Sequence, residues 1–260
     1  MSASARATPT AASALERTLE LLQEPPTRPD KTRGYLDLLG SAPSGADTLG
    51  QRAMTSRALP LIYERLWRPI GVRLAFGAVA VGGSAETRIT REFLDLQPGD
   101  VVLDVACGPG NVTRRLLESL GDRGLAVGLD ASPSMLGQAV KETRAGNVTY
   151  VRGDAQRLPF RDQSFNAVCC YAALYLIADP FAAIAEMVRV LAPGGTLAVL
   201  TSCHRGPAPL RPLASLATAP SGVRVFGPRE ITRDFARHGL TEVRQEIAGF
   251  GQFVGARKPE

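Results

Sequence analysis

The sequence predicts an α/β protein built on a mainly parallel sheet. Short Val/Leu/Ala-rich runs alternate with amphipathic stretches from residue 83 onward. Those runs are apolar almost throughout, as strands buried on both faces must be. A glycine-containing loop, ACGPGN, lies between the first such run and the first helical pattern. Alternation of this kind implies right-handed crossovers, with ligands bound outside the carboxyl ends of the strands.

The elements follow in order. VVLDVA (from Val101) is a strand, and NVTRRLLESLG (from Asn111) is a helix. LAVGLD ends a second strand at Asp130. SPSMLGQAVKETRAG then begins with Ser132 and Pro133, a side-chain cap followed by a residue preset for the first helical turn. NVTYVRGD and SFNAVCCYAAL supply the third and fourth strands. DPFAAIAEMVRVL is a helix and GTLAVLTS the fifth strand. PREITRDFARHGL reads as a helix. TEVRQEIAGF and GQFVGARKP read as two final strands hairpinned around Gly249–Gly251.

The flanks are less regular. Residues 1–30, rich in Ala, Ser, Thr and Pro, read as a flexible N-terminal arm. LERTLELLQ is a short helix within it, ended by the proline run that follows. Residues 31–82 read as an N-terminal helical cap or lid. GYLDLLGSAPSGAD is a turn and loop there. Leu59, Ile62 and Leu66 then recur at helical steps, broken by Pro60 and Pro69. Residues 83–260 are the ligand-binding domain. The Pro- and Ala-rich insert Pro207–Gly222 stands where a crossover helix belongs and is a candidate cover for a substrate.

Composition narrows the function. The chain has 260 residues and a net charge of +5. Its arginines are dispersed, and no cluster tracks a phosphate backbone, so a nucleic-acid partner is not expected. Cys107, Cys169, Cys170 and Cys203 form no CxxC pair. They read as free thiols of a reducing compartment, with no zinc frame and no other metal site. There is no secretory leader and no apolar run of membrane-spanning length. A cytoplasmic protein is expected, monomeric or homodimeric.

The loop decides the ligand class. Gly108 and Gly110 let a ligand lie against the backbone, and a helix start offers free N–H groups to an anion. The dinucleotide pattern GxGxxG is broken, because Thr113 stands at its third glycine. Asp104, at the end of the strand, would repel a pyrophosphate and attract an ammonium. S-adenosyl-L-methionine (SAM) carries an ammonium and a carboxylate in one tail, so it fits better than NAD. Asp130 can accept from both ribose hydroxyls, and Asp154 from the adenine amino group, with the Ala155 N–H toward a ring nitrogen.

VVLDVACGPGNVT, GLDASPSML, GDAQRLPFRDQSFNAV and RVLAPGGTLAV resemble the successive motifs of class I SAM-dependent methyltransferases. The subgroup resembled is the ubiquinone/menaquinone-biosynthesis type and its small-molecule relatives. The resemblance spans about residues 85–202. It implies a seven-stranded Rossmann-like sheet of order 3-2-1-4-5-7-6 with strand 7 antiparallel. It also implies a cofactor site of Asp104, Ala106, Gly108, Gly110, Asp130, Ala131, Ser132, Met135, Asp154, Ala155 and Tyr171, with S-adenosyl-L-homocysteine (SAH) as product. The expected reaction is transfer of a methyl group to an O or C atom of a small hydrophobic or aromatic metabolite. Candidate catalytic residues are His204, Tyr175 and Tyr171, which follow strands five and four. Many relatives carry a histidine near Tyr175; this chain does not. Three other readings stay open: a SAM-binding cyclase or sensor without methyl transfer, an RNA or protein methyltransferase, and an NAD-dependent oxidoreductase.

Overall fold

The computed structural model describes residues 13–40, 92–204 and 224–260. Most of the expected cap (residues 41–82) and the Pro207–Gly222 insert lie outside the described residues, as do the first 12 residues.

The elements, in chain order, are α1 (Ala14–Leu21), β1 (Leu36–Asp37), β2 (Val101–Val105), α2 (Asn111–Leu120), β3 (Leu125–Asp130) and α3 (Pro133–Glu142). They continue with β4 (Val148–Arg152), β5 (Phe165–Tyr171), a 3-10 turn (Leu174–Leu176), α4 (Pro180–Val190) and β6 (Leu191–Ser202). Last come α5 (Glu230–Arg237), β7 (Thr241–Ala248) and β8 (Gly251–Arg257). The strands form one sheet of order β1-β4-β3-β2-β5-β6-β8-β7. From β4 to β7 this is the expected 3-2-1-4-5-7-6. Neighbours from β1 to β6 run parallel, and β8 runs antiparallel between β6 and β7. Among the described residues, the sheet departs from seven strands only by β1, a two-residue addition beside β4.

Local chemistry starts and stops these elements. Ser132 caps α3 by accepting the Met135 N–H, and Pro133 fills the first turn. Asp179 caps α4 by accepting from Phe181 and Ala182 ahead of Pro180. The inner strands are fully buried: Val102, Leu103, Val105, Val127, Val168 and Val199 all sit at 0% exposure. Phe160 and Phe165 meet edge to face at 5.0 Å. These contacts place the core between the central strands and their flanking helices, leaving the loops after β2, β3 and β4 to form one rim.

Residues 13–30, part of the expected N-terminal arm, are described. From residue 13 to residue 40 the chain packs on the domain. Ser13 and Glu16 form a reciprocal capping box that starts α1. Leu22 is fully buried and bridges antiparallel to Phe160. The Gln23 N–H donates to the Pro159 carbonyl (2.9 Å) and the Arg161 N–H to the Leu21 carbonyl (2.8 Å). The helix stops at Leu21, ahead of Pro25 and Pro26, where Leu22 turns extended, and the Gln23 N–H that follows is paired with the domain. The turn expected at GYLDLLG contains β1, where Leu36 and Asp37 pair with Val151 and Arg152. Leu22→Ala is therefore expected to lower the unfolding free energy by about 2–5 kcal/mol in urea denaturation. No change would indicate a free arm.

Candidate functional site

The site begins with two backbone kinks. Ala106 follows β2 and Ala172 follows β5, and both adopt positive φ (55° each). An L-residue in that region is strained by about 1–2 kcal/mol. β2 and β5 are the neighbours between which the chain reverses its direction of winding, where open α/β sheets bind ligands. Two of the five non-glycine residues with positive φ among the described residues thus lie on the ligand side, at the switch point.

The glycine loop is held from three directions. The Cys107 N–H donates to the Leu129 carbonyl (3.0 Å), which draws the loop toward β3. The Gly108 N–H donates to Oδ2 of Asp130 (2.9 Å). Beneath, Tyr35, Cys107, Leu136, Ala139 and Tyr150 form a small apolar cluster apart from the main core. The Tyr150 hydroxyl pairs with that of Thr143 (2.9 Å) and presses on Gly110, where any β-carbon would overlap it. Gly110 (φ 75°) is also the first residue flanking α2 and contributes no capping side chain. A β-carbon on Gly108 would meet nothing within 4 Å, so the outer surface of the loop is open.

Asp130 links the loop to its neighbour. Its Oδ1 accepts the Ser132 N–H (2.8 Å) while Oδ2 holds Gly108. Burial raises its pKa; the N–H groups of Ser132, Gly108 and Ala131 work against that rise. Ser132 and Met135 are buried, and Ala131 is partly exposed. Asp154 and Ala155 are partly exposed after β4; Oδ1 of Asp154 accepts the Gln156 N–H (2.9 Å). Asp130 and Asp154 therefore stand at the carboxyl ends of adjacent strands, as the sequence implies.

Asp104 is buried. Its carboxylate is 2% exposed. Oδ2 accepts the Thr113 hydroxyl at 2.6 Å, and Oδ1 faces the Cys169 thiol at 3.6 Å. The residue that breaks the dinucleotide pattern is thus the partner of the strand acid. Burial pushes the Asp104 carboxyl up to about 6, against the lowering effect of Thr113 and Cys169. Burial likewise raises the Cys107, Cys169 and Cys170 thiols, which suits packing and not nucleophilic attack.

The expected acceptor-side residues separate into two groups. Tyr171 is 7% exposed, and its ring meets Phe253 edge to face at 5.9 Å, so it is built into the core beside β8. Tyr175, also buried at 9% exposure in the same core, lies in the 3-10 turn, His204 lies just past β6, and one short segment joins them. The Arg224 N–H donates to the Tyr175 carbonyl (2.9 Å), and the His204 N–H to the Phe226 carbonyl (2.9 Å). Ser202 Oγ donates to the Arg224 carbonyl (2.9 Å). The Arg224 guanidinium stacks on Phe181 (4.8 Å) and Phe226 (5.1 Å) and pairs with Glu230 (3.4 Å). Sequence reasoning missed Arg224, Thr113 and Cys169. A hydroxyl on the first helical turn after a buried strand acid was a usable signal for Thr113. Arg224 had none, because Phe181, one of its two aromatic partners, comes from the distant start of α4.

Two substitutions test this geometry. Gly110→Ala should destabilise by about 2 kcal/mol or more, from positive φ and overlap with Tyr150, read by thermal or urea unfolding. A carboxyl raised in the fold binds its proton more tightly there. Stability from Asp104 therefore falls as pH rises from 3.8, its ordinary value, to about 6 and is level above. Asp104→Asn, which keeps an acceptor for Thr113, should gain stability relative to the parent across that window in urea melts. A pH-independent difference would refute the buried, raised carboxyl.

The chain is similar to known proteins in sequence and fold. Residues 102–195 match a family model described as "Methyltransferase domain". The ubiquinone/menaquinone biosynthesis C-methyltransferase UbiE of Teredinibacter turnerae is 40% identical over 117 residues, covering 44% of this chain and 47% of that relative. The chain spans about half the length of the curated relatives it matches. A SAM-dependent methyltransferase from Aquifex aeolicus superposes with a TM-score of 0.56 at 21% identity, covering 76% of this chain and 97% of that one. One from Mesorhizobium loti gives 0.57 at 20% identity, covering 68% and 99%. Residues 102–195 thus carry the sequence pattern of a methyltransferase domain on the fold of solved SAM-dependent methyltransferases.

Proposed function

We propose that the chain is a SAM-dependent methyltransferase whose acceptor is a small hydrophobic or aromatic metabolite, methylated on C or O. The observation that carries this reading is Asp130. Its carboxylate fastens the glycine loop to the β3–α3 loop, and each of its oxygens keeps an acceptor site beside one N–H bond. That is the donor–acceptor set a ribose diol needs. The open face at Gly108 leaves room for a cofactor against the backbone. The start of α2 offers N–H groups to a carboxylate. Asp154 and the Ala155 N–H remain the adenine-side candidates, with Met135 and Ser132 along α3.

Bound SAM supplies a methyl group already activated on a sulfonium. The protein's work is then alignment and removal of water. The Asp104–Thr113 pair sets the height of the loop on which the methionine tail would rest. An enol, phenol or hydroxyl acceptor must lose a proton as its oxygen or ring carbon takes the methyl. His204 and Tyr175, joined through residues 224–226, are the groups proposed to touch the acceptor; His204 is the candidate base. Tyr171 is proposed to support the wall of the pocket through Phe253. The similarity to a quinone C-methyltransferase favours a carbon acceptor activated by a neighbouring hydroxyl. The segment 41–82 and the insert Pro207–Gly222 are proposed as the cover over that acceptor. A small-molecule acceptor suits the dispersed charge, and no described helix is long and apolar enough to cross a membrane.

Calorimetry with SAM, SAH and NAD is the direct test. SAM and SAH are expected to bind and NAD not. Asp130→Ala should weaken SAH by at least about tenfold, since hydrogen bonds to a charged group contribute about 1.5–3 kcal/mol each. NAD binding in place of SAH would return the loop to the dinucleotide class. With phenol or quinol acceptors, His204→Ala should lower kcat by about 10²–10⁴ while SAH affinity holds, if it moves the proton. SAM binding with no methyl transfer to any acceptor would instead indicate a cyclase or sensor.

A further inference from the structure

The N-terminal segment touches both loops that the proposed cofactor site uses. Arg152, the last residue of β4, points its guanidinium in three directions. Nε donates to the Ala131 carbonyl (3.2 Å), Nη1 to the Gly40 carbonyl (2.6 Å), and Nη1 also pairs with Oδ2 of Asp37 (3.1 Å). The side chains of Arg152 and Asp37 are only 9% and 10% exposed. Asp37 is itself fixed, because its Oδ1 accepts the Leu39 (3.1 Å) and Gly40 (2.9 Å) N–H groups. Ala131 lies between Asp130 and Ser132, so its carbonyl reports the position of the loop that carries the proposed ribose acceptor. Two residues earlier, Tyr35 enters the apolar cluster under Cys107 of the glycine loop. One ordered stretch, residues 35–40, thus braces the β2–α2 and β3–α3 loops from the same edge of the sheet.

We infer that Asp37 and Arg152 are positioning residues for the cofactor, with the N-terminal segment setting the Asp130–Ser132 loop through the Arg152 bond to Ala131. The inference rests on the proposed cofactor reading. A buried ion pair adds little net stability over an apolar pair of equal shape, but breaking it leaves an uncompensated charge. Its use here is geometric: a planar guanidinium reaches three acceptors at fixed angles, which a lysine ammonium does not.

The test is SAH affinity of the full chain by calorimetry, with a double-mutant cycle. Arg152→Met and Asp37→Asn should each weaken SAH by about tenfold, as a small displacement of a binding group does. Asp37 acts through Arg152, so the double variant should bind no more weakly than Arg152→Met alone. Thr196→Val removes a buried hydrogen bond to the Leu94 carbonyl at the opposite end of the sheet. It should lower the melting temperature and leave SAH affinity within about twofold. If Arg152→Met does not fold, Arg152→Lys takes its place in the cycle. Affinities within twofold of the parent, losses that multiply in the double variant, or an equal loss in Thr196→Val would each overturn the inference. A parent protein that binds no SAH would overturn the cofactor reading itself and is seen before any variant is made.

Discussion

The hydrogen bonds of the Asp130 carboxylate, one to Gly108 and one to Ser132, hold together two loops that leave neighbouring strands. Beside that tie, the loop is held by the Cys107–Leu129 backbone bond and by the Arg114 bond to the Pro109 carbonyl. A carboxylate suits the task because its two oxygens accept from both sides and keep further lone pairs for a ligand. Removing it from water is unfavourable, and the N–H groups gathered around it offset that penalty. The loop is therefore arranged by the same group that is placed to meet the ligand.

Below the loop, the chain relies on steric exclusion. Tyr150 occupies the space that a side chain at Gly110 or Gly128 would need. Its hydroxyl is anchored by Thr143, so it cannot easily move aside. Asp104 and Thr113 add a polar pin between β2 and the start of α2 in an otherwise apolar interior. A short, fully enclosed hydrogen bond of this kind strengthens in low dielectric, and an unpaired partner would be strongly disfavoured there. Backbone, aromatic floor and buried carboxylate together make the rim rigid, which is what alignment of a reacting methyl requires.

The N-terminal region shows how a polar, proline-bearing segment becomes part of a domain. Its helix has a capping box and a narrow apolar face ending in Leu22. Neither would stabilise an isolated helix of eight residues. Docking supplies the missing stability through the Leu22–Phe160 bridge, the backbone bonds around it and the edge pairing of β1 with β4. Chain that reads as an arm by composition thereby contributes Tyr35 and Asp37 to the underside of the loops.

Much of this was legible in the sequence, and for one reason. Strands buried on both faces, glycines at a sharp turn and caps at helix starts are local demands, so they appear as local patterns. The alternation of elements, the hairpin at Gly249–Gly251, the capping by Ser132 and the acids Asp130 and Asp154 at strand ends all followed from such patterns. The sheet order followed from the family the motifs resemble. Tertiary structure alone decided what each of those groups faces. Asp104 turned inward to Thr113 and Cys169 because the first turn of α2 and the neighbouring β5 close over it. Tyr171 became core because β8 brings Phe253 against it. Arg224 found Phe181, and Asp37 its arginine 115 residues away, only when distant segments met. Composition and spacing carry no record of partners so far apart in the chain, because any exposed pattern compatible with solvent is equally compatible with a surface that another segment later covers.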